Sequence, residues 1–246
     1  MLIQLSNGDL FAGLSMLVLV LVIVGLITAF SIARARRRGS TTLALDVTRN
    51  ASFVMVGLTA VGVVMSGLTI LGSPRITLTG STRDWVHDRQ DSLLSPVCDE
   101  KGVPDGVALC GSVVHDAPFG TRLTIYLGAV LTLVAWAAIA WAIYNATRRA
   151  GERDPFHGSV SRTFGIVAII VVTTVPMGQV LDQIGMTLTA RSLKWTPDAE
   201  VPFALEVTLW PFAVAVGLFA LSAIFRYGRQ LQDEAARLQK ETEGLV

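Results

Sequence analysis

The chain has 246 residues, of which 52% are hydrophobic and 16% charged, and its formal net charge is +1. The charged share falls well below the roughly 25% of an ordinary soluble domain, and mean hydropathy is +0.56. Such a balance excludes an ordinary soluble fold and gives no electrostatic footprint for a nucleic-acid partner or an acidic substrate.

The apolar residues are gathered into five charge-free blocks: Phe11–Ala33, Ala51–Ser73, Leu123–Thr147, Thr163–Leu181 and Val207–Phe225. At about 1.5 Å per residue, each is long enough to cross a hydrocarbon core roughly 30 Å thick. The blocks lack the two-residue alternation of barrel strands, so they are predicted to be helices. The first is not a cleavable leader by its pattern. Residues 1–10 hold no Lys or Arg, the run exceeds a signal core, and the basic cluster Arg34, Arg36, Arg37 and Arg38 follows it. It reads as a retained anchor. In the second block Gly62 and Ser66 form a small-xxx-small pair, which suits close helix packing within the bundle at least as well as a dimer contact.

Residues 74–121 form the longest hydrophilic segment and hold both cysteines, Cys98 and Cys110. The glycines and proline between them let the chain turn back, and an oxidising exterior would favour a disulfide. A segment this small needs that disulfide, or contact with the helix ends, to hold a core. "RITLTGST" alternates like a short strand. "TRDWVHDRQDSLL" reads as a short helix capped by Thr82, with Trp85 suited to the membrane interface. His87 and Asp91 share one face of that helix, but a solvated face beside Arg83 and Arg89 is the simpler reading than a metal site. Neither a His-Glu-x-x-His motif nor a calcium loop occurs in the chain.

Between the third and fourth blocks lies "RRAGERDPFHGSVSR", with Arg148, Arg149, Arg153 and Arg162. Asp154 and Pro155 make a helix start, and Phe156 is expected to pack against the bundle or the C-terminal helix. In the fourth block Pro176 is expected to kink the helix, with Thr173 and Thr174 re-satisfying the freed backbone. Gln179, Asp182 and Gln183 follow at i, i+3 and i+4, and Glu206 precedes the fifth block at a similar depth. These four are read as an interfacial polar network joining blocks four and five, with Arg191 and Lys194 available as partners. The tail, residues 228–246, repeats Leu231, Leu238 and Leu245 every seven positions. The pairs Arg229–Asp233 and Arg237–Glu241 support its helix. It is expected to extend the fifth helix and to dock on the chain's own loops, on a second copy or on a partner.

Segments 34–50, 148–162 and 226–246 carry five, four and four of the chain's 20 Lys and Arg residues. The excess of positive charge on short cytoplasmic loops then sets the orientation. The expected fold is an all-α integral membrane protein of five transmembrane helices. Its N-terminus is outside and its C-terminus cytoplasmic. A small disulfide-linked loop faces the exterior and a helical tail the cytoplasm. Residues 1–50 form the first helix and its basic loop, 51–227 a four-helix membrane domain, and 228–246 the tail.

The Pro155–Phe156 pair with Arg162, and a tail reading Gly228, Leu231, Glu241, Glu243, Gly244, Leu245 and Val246, resemble the bacterial membrane-protein family of domain of unknown function 2975. The resemblance covers roughly residues 51–246 and implies four spans, so Phe11–Ala33 is an addition to that plan. It implies a regulatory setting rather than a reaction. The residues themselves point the same way, since the chain has no nucleophile elbow, phosphate loop or metal-ligand spacing. A non-catalytic accessory, scaffold or regulatory subunit of the plasma membrane is expected, without cofactor or metal. Its partners are the bilayer and possible protein partners, including a second copy. The alternative is a small transporter or immunity-type protein using the kinked fourth helix.

Overall fold

A computed structural model describes residues 43–95, 107–151, 158–196, 199, 201–203 and 205–243. The elements in chain order are α1 (Leu43–Gly72), β1 (Ile76–Thr77), α2 (Gly80–Asp88), a 3-10 turn (Gln90–Ser92), β2 (Ala108–Cys110), β3 (Val113–His115), α3 (Phe119–Gly151), α4 (Gly158–Ser192) and α5 (Trp210–Glu243). Four of the helices, α1, α3, α4 and α5, are long and apolar enough to cross a membrane, which marks a membrane protein. The block Phe11–Ala33 and the cluster Arg34, Arg36, Arg37 and Arg38 lie outside the described residues.

Sequential helices pack on one another, α1 on α3, α3 on α4 and α4 on α5. The deepest burial runs along the two central helices, at Ala135, Ala140 and Ala142 of α3 and Phe164, Ala168, Val171 and Val175 of α4. The outer pair keep apolar faces outward, including Phe53 and Val64 on α1 and Val216 and Ile224 on α5. Such faces are stable against lipid, so their exposure is no defect in a membrane helix.

Glycines set the central contact. A Cβ on Gly128 would meet the Gly178 carbonyl oxygen at 2.6 Å, and one on Gly178 would meet the Gly128 carbonyl at 2.7 Å. The two backbones touch, with Asp182 N only 3.0 Å from the same point. One to two turns along, the Ile125 side chain fills the space a Cβ of Gly185 would need. Without a hydrophobic drive between helices in lipid, contact at this range supplies the dispersion that joins them. On the other side of α3, Tyr126 lies against Gly67 and Leu133 against Gly62. Gly62 and Gly67 of α1 therefore pack inside the bundle. Ser66 spends its hydroxyl on the Gly62 and Val63 carbonyls of its own helix.

Pro176 sits inside α4, which continues without interruption on both sides. Thr173 and Thr174 donate to the carbonyls of Ile169 and Ile170. Neither reaches Val172, whose carbonyl loses its amide partner to the proline, so the expected re-satisfaction by these threonines is not what the side chains do.

Residues 74–95 and 107–118 form a small cap on the bundle. Its antiparallel sheet has the order β1-β3-β2, with Leu109 opposite Val114 and Ile76 opposite Val114. The β2–β3 hairpin turns through Gly111–Ser112. Gly111 has φ +63, the conformation a two-residue turn wants at its first central position. The expected strand at "RITLTGST" shrinks to two residues. The helix that follows begins at Gly80 with Thr79, which makes no side-chain cap, in the N-cap position. Thr82 is inside this helix and buried, so it is a packing residue rather than the cap.

If the Gly128–Gly178 contact sets the spacing of α3 and α4, then G128A and G178A each lower the detergent melting temperature. The cost expected for overpacking is about 1–3 kcal/mol. G57A and G217A, where a Cβ meets nothing within 4 Å, leave it unchanged or slightly raised.

Candidate functional site

Two regions of the molecule stand apart from simple bundle packing: the cap at one end and the C-terminal part of α5 at the other. The cap is held by the helix ends beneath it. Its core joins Ile76, Leu78, Val86, Leu109 and Val114 to Ile125 of α3 and to Met186 and Ala190 of α4, with Leu193 and Val201 added from the α4–α5 connection. The chain after α4 is woven into it. Leu93 bridges Trp195, the amides of Leu94 and Ser95 donate to the Lys194 carbonyl, and Thr196 N donates to Ser92 O. The Trp195 indole donates to the Ala190 carbonyl at 2.8 Å and meets Trp85 edge-on at 5.0 Å. Trp85 is thus part of the cap core, with Arg89 over its ring, rather than a membrane-interface anchor.

Arg122, at the start of α3, donates to the carbonyls of Leu71 and Ser73. A guanidinium there satisfies orphan acceptors at the end of α1 and faces the negative end of its dipole. No sequence motif announces this link, because its partners are main-chain atoms about fifty residues away.

The polar stripe of α4 is divided among three surroundings. Gln179 makes a two-point bond with Thr208, donating through Nε2 to the hydroxyl at 2.5 Å and accepting Thr208 N–H at 3.1 Å. This fastens the connection to α4 two residues before α5 starts. Asp182 is half-buried with its backbone against Gly128. Gln183 lies between, and its carbonyl accepts from Thr187. Glu206 is drawn away to the cap, with Oε2 3.6 Å from where a Cβ of Gly80 would sit, at the positive end of α2. Arg191 donates to the Val201 carbonyl, and among the described residues neither it nor Lys194 pairs with Asp182 or Glu206. The four residues expected as one network are therefore not gathered into one.

Among the described residues no three of His, Cys, Asp and Glu come together to hold a metal ion. His87 and Asp91 occur on α2 and in the turn after it, and His87 is exposed. Cys110 ends β2, whereas Cys98 lies outside the described residues.

At the opposite end, α4 and α5 are clasped. Ser161 Oγ donates to the Ser222 carbonyl at 3.0 Å and Ser222 Oγ to the Ser161 carbonyl at 2.8 Å. Phe164 stacks on Phe225 at 5.5 Å, and Asn145 of α3 donates to Thr163. The Arg229 guanidinium lies over Gly158, the first residue of α4. Arg148 and Arg149 close α3, and Arg162 follows one turn into α4. Arg153, Asp154, Pro155 and Phe156 lie outside the described residues, and so do Gly244 and Leu245.

Past Arg229 the helix continues to Glu243, about 20 Å at the α-helical rise. Gly228 is half-buried, but from Gln230 to Glu241 every residue is exposed. Leu231 is 50% and Leu238 62% exposed, and the loop residues 34–42 and 152–157, on which the tail is expected to dock, lie outside the described residues. The two i, i+4 pairs are present, Arg229–Asp233 at 3.8 Å and Arg237–Glu241 at 3.0 Å.

Removing the Gln179 amide tests whether it fastens the α4–α5 connection. Q179L loses two hydrogen bonds, each worth about 0.5–1.5 kcal/mol. Limited chymotrypsin digestion is expected to cut around Phe203–Trp210 faster than in the parent protein, and an unchanged digestion rate contradicts the role. No protein-family model matches the chain, and neither a curated protein nor a solved structure matches it.

Proposed function

We propose that this chain is a non-catalytic accessory, scaffold or regulatory subunit of the plasma membrane that recruits a protein partner through its tail. The observation that carries this reading is the part of α5 after Arg229. A helix of about four turns continues past Arg229, with Leu231 and Leu238 solvent-exposed on one narrow stripe and opposite charges paired along its flanks. A helix presenting a solvent-exposed apolar stripe of this kind suits a helical partner better than it suits water.

The same proposal includes five spans with the N-terminus outside, the cap in the exterior and the tail in the cytoplasm. Support comes from the charge count, since the three Arg-rich segments fall on one side in that arrangement. It includes a Cys98–Cys110 disulfide, supported by the absence of a free cysteine among the described residues and by a cap core small enough to need a covalent staple. The resemblance to the family of domain of unknown function 2975 belongs to this proposal too, through the tail residues Gly228, Leu231, Glu243, Gly244 and Leu245 and the loop pair Pro155–Phe156.

Purification from mild detergent tests the partner. The full chain is expected to bring down a defined second protein or to run as an oligomer, and L231E/L238E to lose that association while keeping its melting temperature. A lone monomer from the parent chain counts against the reading. Thiol labelling of intact cells tests the cap. A membrane-impermeant maleimide is expected to label only after reduction, and labelling without reduction counts against the disulfide.

A further inference from the structure

Arg162 and Arg226 are exposed, and among the described residues neither has an ion-pair partner. They flank the serine clasp that joins α4 to α5. Arg162 follows Ser161 directly, and Arg226 lies one turn beyond Ser222. The two helices run antiparallel, since Gln179 meets Thr208 at one end and Gly158 meets Arg229 at the other. At about 100° per residue, Arg162 stands about 100° round α4 from Ser161, and Arg226 about 40° round α5 from Ser222. Seen from one end, antiparallel helices advance in opposite senses, so both side chains emerge on the same side of the seam. Arg229 lies in the seam itself, over Gly158. The nearest described acid, Asp233, is a turn farther out and 3.8 Å from the Arg229 guanidinium.

The same side of the seam continues into the apolar part of the bundle. By the same register Ile166 and Ile169 of α4 and Phe219 of α5 line it, and they are 48%, 55% and 46% exposed. Three guanidinium groups therefore stand at the mouth of an apolar furrow on a membrane-spanning bundle. Guanidinium forks match phosphate oxygens in two-point bonds, and the furrow offers an acyl chain its contact.

We infer that the tail end of the α4–α5 seam binds one anionic phospholipid. Arg162, Arg226 and Arg229 hold its headgroup phosphate, and Ile166, Ile169 and Phe219 contact an acyl chain. On the orientation proposed above this lipid belongs to the cytoplasmic leaflet, but the site stands on its own geometry. Native mass spectrometry of the full chain in mild detergent, with phosphatidylglycerol and phosphatidylcholine added in equal amounts, reads it directly. Preferential retention of phosphatidylglycerol is expected, weakened about fivefold for each arginine removed in R162Q and R226Q and unchanged in R237Q in the tail. Equal retention of the two lipids, or undiminished retention in R162Q/R226Q, overturns the inference. So does inorganic phosphate raising the melting temperature as much as phosphatidylglycerol, because the acyl contact is then irrelevant. If R162Q/R226Q does not fold, the headgroup comparison on the parent chain still decides. A negative outcome leaves the protein-partner reading untouched, since that rests on Leu231 and Leu238.

Discussion

The Gly128–Gly178 contact is the constraint on which the rest of the structure depends. Each glycine places its carbonyl where the other would carry a side chain, so α3 and α4 meet backbone to backbone. Two helices in lipid gain nothing by hiding apolar surface from each other, because the lipid is equally apolar. What remains is close packing, which grows steeply as the axes approach. Once α3 and α4 are fixed at this distance, the other helices take their places from them. Tyr126 and Leu133 offer α1 a face to match Gly67 and Gly62, and Ser161 and Phe164 offer α5 a face to match Ser222 and Phe225.

Helix length does the remaining organising. α4 has 35 residues, about 52 Å, against a hydrocarbon thickness of roughly 30 Å. The surplus at its C-terminal end, from Gly185 to Ser192, becomes a post on which the cap is built. α5 starts much lower, beside Gln179, and so carries its own surplus out at the other end. Among the described residues the result is asymmetric, a braced cap at one end and a solvent-exposed helix at the other. The bracing is polar where the chain leaves the bundle: Arg122 on the end of α1, Gln179 on Thr208 and Trp195 on Ala190. The first two satisfy main-chain groups of α1's end and of the α4–α5 connection from another element, and Trp195 adds a second donor to the Ala190 carbonyl, which also accepts from the Leu193 amide.

Much of this was legible in the residues. Blocks two to five map onto α1, α3, α4 and α5, because a charge-free run of about 20 residues has few other stable fates. The tail as a continuation of α5, and its two i, i+4 pairs, also follow from spacing alone. The failures have a common physical cause. Gly62 was expected to pack within the bundle and Leu133 does lie against it, whereas the Gly128–Gly178 contact was missed because it is a relation across fifty residues. Thr82 looked like a cap, but Gly80 at φ +62 starts the helix two residues earlier. Gln179, Asp182, Gln183 and Glu206 were grouped by depth. Depth does not say which neighbour lies alongside, and the Glu206 carboxylate lies near Gly80 at the start of α2 rather than beside Asp182. The hairpin was within reach, since "LCGSVVH" puts Gly-Ser between two apolar pairs, a two-residue turn signal.

The sequence by itself determined that this is a membrane protein, where its described spans lie, and that its last helix continues as a charged-flanked rod. Those properties are sums over contiguous residues: hydropathy, length and charge spacing all act locally along the chain. Only the tertiary structure decided which glycines touch and that the α4–α5 connection joins the cap. It alone showed that the tail's leucines Leu231 and Leu238 are solvent-exposed and that Arg162 and Arg226 share one side of a seam. These are relations between distant segments, fixed by the hand of the helices and the closest approach of their backbones, and no local pattern carries them.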